Sequence, residues 1–287
     1  MTTWETIRDQ LRASGIENYD QEAHWMFLLA ARQTGSDAAQ DRLLQDWLRR
    51  RCAGEPFQYV VGSVEFYSIE LAVGPGVLIP RPETELLVEK ALELLQSTPA
   101  GNAVLDLCTG SGAIPLALAH ERPDLEYTGI DLSPEALRWA EKNRAALKPP
   151  RCRFLLGDLF APLGMPAPKF QLVTANPPYV SPNEYRVLPP EVKDFEPRLA
   201  LEAQEDGLAL EKRIAKEARD FLLPGGWLLL EIGEKQGPAM EEYLQFLEYQ
   251  QVEIIKDLAG RNRIAHARKS RKDTRRAMHT EPSQPLT

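Results

Sequence analysis

Hydrophobic residues recur at helical spacing over the first fifty positions. Trp4, Ile7 and Leu11 share one face, and Gly15 can close that helix. Asp20 can cap a second helix that carries Ala23, Met26, Phe27 and Ala30 and ends near Gly35, and Leu43, Leu44, Trp47 and Leu48 stripe a third. Three short amphipathic helices need one another, or another domain, to bury those stripes, so residues 1–55 are expected to form a small helical domain. The period then changes. Residues 57–73 (FQYVVGSVEFYSIELAV) are rich in β-branched and aromatic residues, and Ile69, Leu71 and Val73 alternate, which predicts a β-hairpin linker within residues 56–80. Pro82 can open a helix that runs to about Gln96.

From residue 103 strands and helices alternate. Apolar runs at 103–108, 125–131, 152–157, 171–175, 227–232 and roughly 252–258 read as strands. Helical stretches lie between them, such as 133–147, opened by Ser133-Pro134, and 208–222, ended by Pro224-Gly225-Gly226. This alternation predicts parallel βαβ units in a doubly wound α/β sheet, and near-continuous apolar strands suit a sheet covered on both faces. Residues 81–267 are expected to form this domain. Beyond about His266 no apolar period remains, and residues 268–287 read as a flexible basic tail.

A hydrophobic share of 43% with mixed charge fits a globular chain, and 287 residues allow one large domain plus a small one. The net charge of −8 is unevenly placed: residues 261–287 carry eight basic residues against Asp273 and Glu281, a balance of +6, which leaves −14 on residues 1–260. An acidic body argues against a broad nucleic-acid footprint, with the tail as a local exception. Cys52, Cys108 and Cys152 are too scattered for a disulfide framework or a zinc site, and the four histidines never approach metal-ligand spacing. Cys152 reads as core, His24 as surface, and all five tryptophans as core. The N-terminus is charged where a signal peptide is apolar, and no apolar run reaches membrane length, so a cytoplasmic protein with no membrane partner is expected.

Three segments carry chemistry. In AVLDLCTGSGAIPLALA (103–119) a buried strand meets a turn containing Gly110 and Gly112, and a helix begins near Gly112. Such a turn lies outside the carboxyl end of a strand, where open α/β sheets bind ligands, although a tight turn without a ligand has the same residues. Pro115 stands where the dinucleotide fingerprint needs its third glycine, which weakens a nicotinamide reading. Asp131 ends the next strand, nineteen residues after Gly112; its carboxylate can accept both ribose hydroxyls of an adenosine-containing cofactor, or merely precede the Ser133 cap. The most specific segment is QLVTANPPYV, which places Asn176-Pro177-Pro178-Tyr179 at the end of a strand. Consecutive prolines rigidify a set of acceptors. The Asn176 side-chain oxygen and a proline-segment carbonyl can each take one N–H of a planar –NH2 group, with Tyr179 against its plane. A planar amide or amine is a poor nucleophile, so positioning and polarisation must supply the catalysis. The expected reaction is methyl transfer to such a nitrogen.

GEPFQYVVG, LIPRPETE, VLDLCTGSGAI, GIDLSPEAL, NPPY, EPRLAL, LLPGGWLLLEIG and DLAGRNRI occur in that order between about residues 20 and 266. In this set the sequence resembles the protein glutamine-amide methyltransferases of the HemK/PrmC family, which modify the glutamine of the GGQ motif in bacterial peptide-chain release factors. The resemblance implies a Rossmann-like α/β sheet that uses S-adenosylmethionine, behind a small N-terminal helical domain that helps dock the protein substrate. It implies that Cys108, Thr109, Gly110, Ser111 and Gly112 contact the methionine part of the cofactor, that Asp131 holds the ribose, and that Asp158 and Leu159 flank the adenine. Asn176 would border both ligands, and Asn176, Pro177, Pro178 and Tyr179 would grip the glutamine, with Asn176, Pro177 and Tyr179 catalytic. RPETE would sit near the active-site mouth or simply start a helix. Cys108 stands where the family usually has Gly, and its side chain can crowd the cofactor's amino-acid end. Release factors are the implied partners of a monomeric enzyme. Alternatives are a glutamine methyltransferase of a ribosomal protein, an adenine amino-methyltransferase of DNA or RNA, which would want a basic recognition surface, and a cofactor-binding scaffold without catalysis, which an intact NPPY tetrad disfavours.

Overall fold

The computed structural model describes residues 2–164, 166–203 and 207–271. Helix α1 (Trp4–Ala13) begins at Thr3, whose side chain accepts from the Thr6 amide, and α3 (Asp37–Cys52) begins at Ser36, which does the same for Ala39. Helix α2 (Tyr19–Gln33) departs from expectation. Asn18 is its N-cap, and Asp20 sits inside the first turn, where its charge faces the positive end of the helix. Ile7, Leu11, Ala23, Met26, Leu44 and Trp47 build a common core.

Val60 and Val61 complete that core from a fourth helix, α4 (Phe57–Val61). The hairpin expected from residue 57 therefore starts only at Ser63, where β1 (Ser63–Phe66) pairs antiparallel with β2 (Ile69–Ala72). Pro56 and Gly62 bracket the five helical residues, and Gly62 closes them at φ 85, a left-handed conformation that suits glycine. Burial of two valines against α2 and α3 outweighs their β propensity. The tryptophans also need correction. Trp47 is buried, Trp4, Trp139 and Trp227 are partly buried, and Trp25 is 39% exposed on the outer face of α2 beside Phe27 and Leu28.

After α5 (Pro82–Leu95), the βα alternation runs through β3 (Ala103–Leu107), α6 (Ala113–Glu121), β4 (Glu126–Asp131), α7 (Pro134–Leu147), β5 (Cys152–Leu156) and β6 (Phe170–Ala175). Three short helices follow, α8 (Pro182–Arg186), α9 (Pro190–Lys193) and α10 (Arg198–Leu201). Then come α11 (Ala209–Phe221), β7 (Leu222–Glu231), α12 (Gly237–Phe246), β8 (Gln250–Lys256) and β9 (Asn262–Arg268). The seven-stranded sheet has the order β5-β4-β3-β6-β7-β9-β8. Pairings from β5 through β7 are parallel, as predicted, whereas β9 runs antiparallel between β7 and β8.

Alternate residues of each central strand enter opposite cores. Leu105, Val173 and Leu228 face α11 and α12, while Val104, Leu172 and Leu229 face α5 and α6. Strand β9 went unforeseen because Ile264-Ala265-His266-Ala267 is buried yet small and broken by a histidine. Residues 268 and 269, expected to belong to the tail, belong with the sheet instead. Arg268 ends β9, and Lys269 still exchanges backbone hydrogen bonds with Gly225 and Gly226. Residues 272–287 of that tail lie outside the described residues. Pro224-Gly225-Gly226, expected to terminate a helix, falls within β7, where the register against β6 shifts between Phe170 and Leu172. Among the described residues no helix is long and apolar enough to cross a membrane.

From β3 the chain adds strands in one direction to β5 and then returns to place β6 on the other side of β3. The carboxyl ends of β3 and β6 thus flank a topological switch point, where a doubly wound sheet opens a crevice.

Candidate active site

The crevice holds a cavity whose wall includes Cys108, Gly110 and Asp131 at one end and Asn176, Pro178 and Arg81 at the other. The first end is made mostly of backbone. Within the five residues after β3, Cys108 (φ 54), Gly110 (φ 57) and Gly112 (φ 79) all take left-handed conformations. Two glycines meet that demand cheaply, and Cys108 meets it with strain. A methyl group added to Gly110 would find only Val77 within reach, at 4.0 Å, so the turn leaves a cradle open to the cavity. Added to Gly129 on β4, a methyl would stand 2.6 Å from the Phe154 ring and 2.7 Å from the Thr109 hydroxyl, so glycine is what lets β4 lie against the turn.

Asp131 braces this turn. One carboxylate oxygen accepts from the Gly110 amide at 2.8 Å and the other from the Ser133 amide at 2.8 Å. Each oxygen keeps a lone-pair direction, and the carboxylate stands in the cavity wall, so the group can also take hydroxyls from a ligand. Burial raises its pKa, and the backbone donors oppose that rise. Burial also pushes the Cys108 thiol up, with the carboxylates of Asp131 and Asp106 acting in the same direction, so it stays a neutral wall group. An open glycine cradle beside an acceptor-only carboxylate fits the methionine part and ribose of S-adenosylmethionine.

The second end is made of side chains that arrive from distant segments. Asn176, just beyond β6, donates from Nδ2 to the Thr84 hydroxyl at 3.1 Å. Thr84, in the first turn of α5, donates in turn to Glu231 Oε2 at 2.7 Å. Tyr179 donates to Glu231 Oε1 at 3.3 Å. Glu231, the last residue of β7, is 1% exposed. Burial pushes its carboxyl up to about 7, against the opposing pull of Thr84, Arg263 and Tyr179. Arg81 forms an ion pair with buried Glu196, which also accepts from the Ile79 amide at 3.0 Å. The RPETE and EPRLAL segments therefore meet at the cavity, where Pro197, Leu199 and Ala200 also line the wall. The polypeptide after the tetrad is pinned as well: Val180 exchanges backbone bonds with Leu201 and Ala203.

The structure gathers Cys108, Thr109, Gly110, Ser111, Asp131, Asn176 and Pro178 around one cavity. Gly112 caps α6 directly behind that wall. Pro177 is buried, and Tyr179 sits behind the wall with its hydroxyl turned to Glu231. Asp158 is not in the wall: it pairs with Arg213 at 2.9 Å on the surface, with half of its side chain exposed. Leu159 is buried in the sheet core at φ 47. Thr84, Arg81, Glu196 and Glu231 carry no individual signal in the sequence; the RPETE, EPRLAL and LLPGGWLLLEIG segments that contain them are their trace.

Fold and cavity together define a methyltransferase of the doubly wound α/β class. A family model described as "Methyltransferase domain" matches residues 99–271. In a structure of a Thermus thermophilus 16S rRNA guanine-N2 methyltransferase, in complex with AdoMet and guanosine, the same fold is found at a TM-score of 0.53 and 21% identity, covering 72% of this chain and 49% of that one. A "Release factor glutamine methyltransferase" of Thermodesulfovibrio yellowstonii is 42% identical over 81% of this chain and 83% of its own. Another of that name, from Vibrio cholerae, is 46% identical over 76% of this chain and 74% of its own. The chain belongs to the release factor glutamine methyltransferase family.

Proposed function

We propose that this protein transfers a methyl group from S-adenosylmethionine to the side-chain amide nitrogen of the glutamine in the GGQ motif of peptide-chain release factors. The observation that carries this reading is the orientation of Asn176. Its –NH2 is committed to Thr84, which leaves its carbonyl oxygen as the free acceptor in a cavity shared with Gly110 and Asp131. The names of the relatives support the substrate.

S-adenosylmethionine supplies an electrophilic methyl group on a sulfonium. Cys108–Gly112 would cradle its methionine part and Asp131 would hold its ribose. Asn176 would accept one N–H of the glutamine amide, and a carbonyl of the Pro177-Pro178 segment the other. Both bonds draw N–H electron density onto nitrogen and fix its lone pair toward the reacting methyl. The prolines hold that geometry without a conformational search. Asp158 and Leu159 remain candidates for the adenine side. The N-terminal helices would dock the release factor, a role supported by Trp25, Phe27 and Leu28, which are 39%, 37% and 39% exposed on one helix. The protein would work as a cytoplasmic monomer.

The test is transfer of labelled methyl from S-adenosylmethionine to a purified release factor, with a GGQ-to-GGA variant as control and adenine-containing DNA or RNA as competitor. Label on the GGQ glutamine alone is expected. Label chiefly on nucleic acid, or retained on the GGA variant, would overturn the assignment.

A further inference from the structure

We propose that Thr84 and Glu231 are positioning residues that set which end of the Asn176 amide faces the substrate. The proposal rests on the glutamine-amide reading above. A primary amide presents a carbonyl oxygen or an –NH2 after a half-turn, with almost the same shape. Only the oxygen can accept from a glutamine –NH2; the flipped form sets donor against donor. Something must therefore choose, and a hydroxyl alone cannot, because it both donates and accepts.

Glu231 removes the ambiguity. Its carboxylate is acceptor-only when ionised and takes the Thr84 proton at 2.7 Å. With that proton committed, Thr84 offers Asn176 only a lone pair, and Nδ2 meets it at 3.1 Å. Thr84 is 4% and Glu231 1% exposed, which limits water as a substitute for either partner. The other carboxylate oxygen accepts from Tyr179 at 3.3 Å, so one buried carboxylate fastens the first and last residues of the tetrad. The register explains the reach: Ala175, which precedes Asn176, pairs with Leu230, which precedes Glu231.

This relay has a polarity that a proton can reverse. Protonated Glu231 can donate to Thr84, freeing the hydroxyl to donate to Asn176 and drawing the amide oxygen away from the cavity. The charged and titratable groups facing Glu231 are Glu83 on α5, Tyr179 beyond β6 and Arg263 on β9. Burial holds the carboxyl near about 7, so the polarity changes within the working range of pH.

The test measures kcat, KM for release factor and cofactor affinity for Thr84→Val, Thr84→Ser, Glu231→Gln and Asn176→Ala, between about pH 6 and 8.5. Thr84→Val should lower kcat roughly tenfold or more at unchanged cofactor affinity, Thr84→Ser should restore it, and Thr84→Val should cost nothing further in the Asn176→Ala background. The parent enzyme should gain turnover as pH rises through about 7. Glu231→Gln, whose amide can meet Thr84 with either end and cannot titrate, should lose that limb and stay severalfold below the parent at high pH. Full turnover in Thr84→Val with an inactive Asn176→Ala overturns the relay and leaves the glutamine reading standing. Full turnover in Asn176→Ala overturns that reading itself. Should Thr84→Val fail to fold, persistence of the pH limb in Glu231→Gln overturns the relay.

Discussion

At the glycine-turn end of the cavity the polar groups of the wall come from one stretch of chain, residues 108 to 133, with Val77 packed beside it, and the working parts are backbone groups and one carboxylate that braces them. At the tetrad end the wall depends on Thr84, Arg81, Glu196 and Glu231, brought from three other parts of the chain. A local turn places a ligand wherever the strand before it ends. A side-chain relay places an acceptor only when several elements have already docked. The first design suits a constant ligand, and the second a reactive group whose orientation must be set atom by atom.

Five changes test this contrast. Asn176→Ala should lower kcat by about 100- to 1,000-fold, or about 2.7–4 kcal/mol, at nearly unchanged cofactor affinity in calorimetry. A matching loss of cofactor affinity would mean the two ends are not separable.

Each end also rests on a buried carboxyl raised to about 7. Asp106 lies beneath the glycine turn, accepting from Thr174 at 2.7 Å across the β3–β6 pair, and Glu231 lies beneath the tetrad. For both groups burial is the main cause. Their unfolded values lie near 3.8 and 4.5, so between those values and about 7 the native state holds protons that the unfolded chain has released. Their contribution is therefore greatest below pH about 4 and falls as pH rises to about 7, by on the order of 3 kcal/mol for each group. Denaturant unfolding across this window should show a flatter profile for Asp106→Asn and for Glu231→Gln, whereas only Glu231→Gln should also flatten the turnover limb.

Asp131→Ala should weaken cofactor binding by about 1.5–3 kcal/mol, the range for hydrogen bonds to a charged group, with the melting curve still cooperative. Unchanged affinity would remove Asp131 from the cofactor end. The smallest effect is expected at Trp25, which is 39% exposed: Trp25→Ala should change stability by under about 0.5 kcal/mol and raise KM for release factor at unchanged kcat.

The same contrast governs what could be read from the sequence. The glycine turn, Asp131 and the tetrad sit at strand ends that hydrophobic periodicity locates, so their convergence on one crevice was legible. The partners of the tetrad were not. Thr84 and Asn176 are 92 residues apart, and Thr84 and Glu231 are 147 apart, so no local pattern pairs them. RPETE reads as a helix start because Pro82 and the acidic residues do start one, and this hides the hydroxyl at its centre. LLLEIG reads as a core strand because its leucines and isoleucine all face apolar neighbours, and the single carboxylate among them is hidden by that company. The misread elements have equally local reasons. FQYVV has strand propensity but helical brackets, and IAHA is buried without being large.

Strand β9 has a consequence for how the molecule comes into being. It is the last of the described strands in chain order, yet it occupies an interior position between β7 and β8. While the chain is being synthesised, every strand up to β7 can pair, but β7 keeps an exposed edge and β8 has no partner strand until residues 262–268 emerge. That strand also brings Arg263 to the Tyr179–Glu231 pair. A nascent or prematurely ended chain thus carries the complete tetrad and the complete glycine turn with an open β7 edge, an unpaired β8 segment and no finished acceptor end, so competence arrives in a single late step.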